Sequence, residues 1–167
     1  MAQLGRVVTM YHGTSSERAI SIQQNGFRCS ESGHLGSGVY FACSSKARNF
    51  AADAMKRGHG NGEGAVLQCL VNVNFCHFSH DGECTDWSPS FDAAYAPCTP
   101  SSTRPEWCIS NPQNVTVEKI YHLRDGYPSY LGDPENESLR VFEQIYSSFL
   151  RESCEASSFE CNFDDFY

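Results

Sequence analysis

Two short stretches hold the residues whose types and spacing could do chemistry. The first is "MYHGTS", Met10 to Ser15, where an apolar run "VVTM" leads into a histidine followed by a glycine. An imidazole changes charge near neutral pH and can take or give a proton there. A strand running into a turn would give the same letters, because Gly and Ser are ordinary turn formers. The second stretch, "CHFSHDGEC", holds Cys76, His77, His80 and Cys84, with Cys98 and Cys108 further on. Thiolates and imidazoles are the ligands of structural zinc, whose sites show ligand pairs two to four residues apart, and Cys76, His80 and Cys84 fit that spacing only in part. Nine cysteines in 167 residues is an odd number and falls below the density of a small disulfide scaffold. Free thiols are therefore the expectation, with a zinc-bearing interaction domain as an alternative.

The elements that must position these residues follow from periodicity. Gly5 to Tyr11 are β-branched and loosely alternating and read as a first strand. Ser15 or Ser16 caps a helix with Glu17 in its first turn and Ala19, Ile20 and Ile22 as its apolar stripe, ending at Asn25 and Gly26. Cys29 to Gly38 hold too many glycines for an element and lead into a short strand, "VYFA". Ser44 or Ser45 opens a second helix through about Lys56, and "AVLQCLVNVNF" is the most regular strand of the chain. Cys76 to Pro105 read as a long loop. The strand "EWCIS", the turn "NPQN" and the strand "VTVEKIYHL" follow, and Glu137 to Glu152 form an amphipathic helix. Strands and helices mix too irregularly for a doubly wound sheet, so the class expected is α+β.

Composition narrows the function. A chain of 167 residues is of single-domain size. Residues 1–152 read as one domain and 153–167 as an acidic, aromatic tail. No stretch approaches the roughly eighteen apolar residues of a membrane span, so no membrane partner is expected. The net charge of -8 would repel phosphate backbones, which makes nucleic acid an unlikely main partner, while a local basic pocket for a small anion is compatible with it. The start "MAQLGRVVTM" lacks the pattern of a signal peptide, so a reducing cytoplasmic or nuclear compartment is expected.

Three segments occur in a telling order: "YHGTS" at the first strand, "GSGVYFACSSKARNFA" as strand then helix, and "EWCISNPQNVTVEKIYHL" as a late hairpin. Together they resemble the catalytic domain of the poly(ADP-ribose) polymerase branch of ADP-ribosyltransferases, over roughly Gly5 to Leu123. The resemblance implies a fold of two packed, mostly antiparallel sheets with flanking helices. It implies a triad of His12, Tyr40 and Glu106, NAD as substrate, release of nicotinamide and transfer of ADP-ribose to a protein acceptor, the chain itself included.

In that reading Tyr40 and Phe50 sandwich the nicotinamide ring, because aromatic faces attract a delocalised cation. Glu106 stabilises the positive charge that develops on the ribose, a contact stronger in the transition state than in the ground state. His12 donates a hydrogen bond to a ribose hydroxyl, and Gly13, with no Cβ, lets the carboxamide pair with its backbone. Arg28 reaches toward the adenosine and diphosphate side, and Thr14 and Phe41 complete the NAD-binding set. Where the family often has a serine and a tyrosine on the second helix, this chain has Ala47 and Phe50, with Ser45 as a compensating hydroxyl. A catalytically inactive module binding NAD or ADP-ribose is the main rival. A tRNA 2'-phosphotransferase, which shares the fold, would need a more basic site.

Overall fold

A computed structural model describes residues 2–57, 62–79, 85–87, 90–97 and 105–123. The helix predicted over Glu137 to Glu152, the tail 153–167, and His80, Cys84 and Cys98 lie outside the described residues. The fold is α+β: a mixed six-stranded sheet with two helices. The strands are β1 (Ala2–Ser15), β2 (Val39–Ala42), β3 (Gly64–Phe78), β4 (Ala93–Ala96), β5 (Glu106–Ile109) and β6 (Val115–Leu123), and the helices are α1 (Ser16–Asn25) and α2 (Ser44–Lys56).

The strand order is β1-β2-β5-β4-β3-β6, and β1 also pairs with β3. That extra pairing closes β1, β2, β5, β4 and β3 into a ring. Every pairing is antiparallel except the short parallel one between β3 and β4. The expected mostly antiparallel pairing is met, but the strands form one continuous sheet where two packed sheets were expected. The reason is the length of β3, which carries β1 along one edge and β6, then β4, along the other. The sheet is nonetheless nearly divided, because β1 and β2 share a single residue pair, Tyr11 with Ala42.

Inside the ring, Met10, Phe41, Leu67, Val71, Tyr95 and Ile109 are almost wholly buried, and each such apolar side chain stabilises the fold by about 1.5–3 kcal/mol. On the outer face α2 lies against β1 and β3, burying Ala47 and Ala51 against Tyr11, Val66 and Leu123. The approach is close enough that a Cβ on Gly13 would come within 1.8 Å of the Ala47 carbonyl oxygen, and one on Gly64 within 2.5 Å of that of Ala51.

Several boundaries differ from the sequence reading. β1 continues past Tyr11 to Ser15, so His12 lies within the strand, held there by pairing with Leu67. Ser15 caps α1, its hydroxyl accepting from the Arg18 amide at 3.3 Å. Ile20, expected in the apolar stripe, is 46% exposed, whereas Ala19 is buried. α2 begins after Cys43, which makes no side-chain cap. The stretch read as a loop from Cys76 contains the end of β3 and all of β4, whose residues "AAYA" are buried between β3 and β5.

Candidate functional site

Where β1 and β2 part beyond Tyr11 and Ala42, a cavity of about 300 Å³ opens. His12 and Gly13 from β1, Tyr40 and Phe41 from β2, Phe50 from α2 and Glu106 from β5 all line it. Its volume is at the lower end of small-molecule pockets. The triad expected from sequence is thus brought to one cavity from three separate strands. A second cavity, of about 470 Å³, shares His12 and Tyr40 with the first and is lined further by Thr14, Arg18, Phe27 and Arg28. Ser45 lines neither cavity: its hydroxyl lies 3.3 Å from the Cys43 sulfur, so the compensating role expected for it finds no support in its position.

His12 bridges the parted strands. Its Nδ1 lies 2.8 Å from the Tyr40 carbonyl oxygen, and because a carbonyl only accepts, Nδ1 carries the proton and donates. The ring packs edge-on against Phe27 and Phe41, with centroids 5.2 and 6.0 Å away. Burial lowers its pKa below the ordinary 6.5, outweighing the carbonyl bond that favours the charged form, and nearby Arg18 lowers it further. A neutral ring protonated on Nδ1 presents Nε2 as an acceptor. The expectation that His12 donates to its ligand is therefore reversed: the structure fixes the tautomer that accepts.

Tyr40 is held at its hydroxyl, which donates to the Gly36 carbonyl at 2.6 Å and accepts from the Leu35 amide at 3.0 Å. Burial, with Cys108 beside it, raises the phenol pKa, so it is neutral at physiological pH. Leu35 is itself fixed from a distant segment, since the indole Nε1 of buried Trp87 donates to its carbonyl at 2.5 Å. Gly33 also lines the first cavity, and a Cβ there would collide with the Tyr40 phenol.

Glu106 opens β5, with Ala42 on one side and Ala96 on the other. These small neighbours leave room for a side chain to reach the carboxylate from α2. Lys46 does so, with Nζ 2.8 Å from Oε1, and the two side chains are only 8% and 11% exposed. Gly13, expected to be glycine for a ligand's sake, has a structural reason as well: α2 occupies the space a Cβ would need. Phe50 is 49% exposed while lining the cavity, an apolar face open to an incoming planar group.

Sequence reasoning missed three residues here. Lys46 reads as one more solvated lysine, and only its place among "SSKA" at the start of an alanine-rich helix set it apart. Arg18 carried a signal, a cation in the first turn of a helix, where the dipole favours anions. Trp87 lay in a stretch without periodicity. Among the described residues no group of three or more His, Cys, Asp or Glu stands where it could hold a metal ion, and Cys29, Cys43, Cys69, Cys76 and Cys108 are free thiols. No family model matches the chain, and no curated protein matches it.

Proposed function

We propose that the chain is an NAD-dependent ADP-ribosyltransferase of the poly(ADP-ribose) polymerase type, which releases nicotinamide and transfers ADP-ribose to a protein side chain, its own included. One observation carries this reading: His12, Tyr40, Phe50 and Glu106, singled out from sequence, line one cavity although they come from four separate elements. That cavity fits a planar ring between aromatic side chains, and the adjoining one, with Arg18 and Arg28, fits an anion. NAD supplies a glycosidic bond whose electron pair leaves with the nicotinamide ring, while the ribose carbon accepts a lone pair from the acceptor, which gives up its proton.

Each residue then has a task set by its surroundings. Tyr40, fixed at its hydroxyl by Leu35 and Gly36, offers a ring of set orientation for stacking. His12, protonated on Nδ1, accepts from a ribose hydroxyl through Nε2. Glu106 places negative charge at the cavity wall, and Lys46, 2.8 Å away, holds that carboxylate in position. Such preorganised charge is where rate enhancement resides, because it need not reorient during reaction.

A second reading, a module that binds NAD or ADP-ribose without turnover, draws support from Ala47: it is fully buried and brings no hydroxyl to the helix position where the family often has a serine. Nicotinamide release separates the two. Glu106→Gln should lower release from NAD by about a hundred- to thousandfold, while a benzamide-type probe still raises the melting temperature of both proteins. Release unchanged in the variant removes Glu106 from the mechanism, and no release by either protein favours the binding module.

A further inference from the structure

Transfer of ADP-ribose sets free one proton, that of the acceptor, and five titratable side chains line the first cavity: Tyr11, His12, His34, Tyr40 and Glu106. Four of them are engaged. Tyr11 is 2% exposed and packs beneath α2. Tyr40 already donates to Gly36, and burial raises its pKa, so it keeps its own proton. His12 is fixed on the Tyr40 carbonyl, with only Nε2 left, which faces the ribose in the transferase reading. Glu106 is buried with Oε1 on Lys46. His34 alone of the five is exposed, on the side from which a protein acceptor must come.

The backbone beneath that imidazole is held more firmly than an exposed loop requires. Gly33 to Gly36 form a turn closed by the Gly36 amide on the Gly33 carbonyl at 3.0 Å, with His34 at its second position. Leu35 is fully buried, its amide on the Tyr40 hydroxyl and its carbonyl on Trp87. The Gly36 carbonyl accepts from the same hydroxyl, and the phenol fills the space beside Gly33. A turn of this kind takes most residues at its second position, so its geometry does not call for histidine.

We propose that His34 is a further catalytic residue, the base that takes the proton from a serine or threonine hydroxyl of the protein acceptor. The acceptor oxygen bonds to the ribose carbon with its lone pair, and the bond from that carbon to nicotinamide breaks with its pair going to the ring. The hydroxyl proton passes to the imidazole, which returns it to water. A carboxylate acceptor arrives ionised and needs no such base, whereas a hydroxyl does, so the base selects the acceptor class. The assignment rests on the transferase reading.

The test incubates the full chain with labelled NAD and measures both nicotinamide released and ADP-ribose bound to protein. In His34→Gln the bound ADP-ribose per nicotinamide released should fall by about a hundredfold, the lower end of what a positioned base contributes, while total release changes far less. Added imidazole should restore part of the transfer to His34→Ala but none to Glu106→Gln, a rescue that a merely structural role would not give. The bond to the unmodified protein should resist neutral hydroxylamine, which cleaves esters of carboxylates. A benzamide-type probe that still stabilises the variants shows that the first cavity is intact. An unchanged ratio in His34→Gln, a His34→Ala that imidazole does not revive, or a hydroxylamine-labile bond overturns the base and leaves the transferase standing. No nicotinamide release from the unmodified protein overturns both.

Discussion

Replacing Lys46 with methionine removes the cation from a pair whose charged atoms are 2.8 Å apart and whose side chains are nearly enclosed. At an effective dielectric constant of about 20, unit charges at that spacing attract by roughly 6 kcal/mol. Removing them from water costs several kcal/mol for each ion, so the intact pair is close to neutral for stability. The single substitution is not neutral, because it leaves the Glu106 carboxylate buried without its partner, and breaking such a pair costs about 3 to 5 kcal/mol. With about 2 to 4 °C per kcal/mol for a domain near this size, Lys46→Met should lower the melting temperature by roughly 6 to 20 °C in a calorimetric scan at pH 7. The double variant Lys46→Met, Glu106→Gln should regain most of that loss, since it holds no lone charge. A single variant within about 1 kcal/mol of the unmodified protein, the usual worth of an exposed pair, would refute the reasoning: water would then reach the carboxylate freely, and the site would not hold a preorganised charge.

Three further outcomes follow from the same geometry. Gly13→Ala forces α2 away from β1, because its Cβ would meet the Ala47 carbonyl at 1.8 Å; a loss of about 1 to 3 kcal/mol in urea unfolding is expected, and unchanged stability would mean α2 is free to shift. His12 has its folded pKa below 6.5, so near and below that pH the unfolded chain binds a proton the folded chain refuses. Its contribution is therefore intact above pH 6.5 and lost as pH falls through it, by up to about 1.4 kcal/mol per unit; melting curves of His12→Gln should lack this component, and identical pH profiles would contradict it. Burial pushes the Cys69 and Cys108 thiols up to about 12 and raises Cys76 as well, while Cys29 is exposed. Iodoacetamide at pH 8 with peptide mapping should mark Cys29 long before those three, and early labelling of Cys108 would show that the wall behind Tyr40 opens.

Much of the scaffold was legible because it rests on local signals. β-branched runs announced β1, β3 and β6, and the serine cap and the Asn25–Gly26 stop bounded α1. β4 was not legible: four residues, three of them alanine, carry no β propensity of their own, and the strand exists because β3 and β5 offer edges on both sides. The site residues were found by the order of short motifs, yet what holds them was hidden. Lys46 meets Glu106, and Trp87 meets Leu35, across separations that no periodicity records. The tautomer of His12 was equally out of reach, because it depends on a carbonyl of another strand.

The placing of β5 between β2 and β4 has a consequence for how the molecule comes into being. A growing chain delivers β1, β2, β3 and β4 first, and until β5 emerges nothing joins β2 to β4. The ring is open at that stage, and the carboxylate of Glu106 has not yet been made. Contacts so distant in sequence form late and slowly, since the chain between them must be ordered first. The cavity wall is thus closed by the same strand that brings its acid, so a partly synthesised chain holds neither the finished ring nor the charge within it.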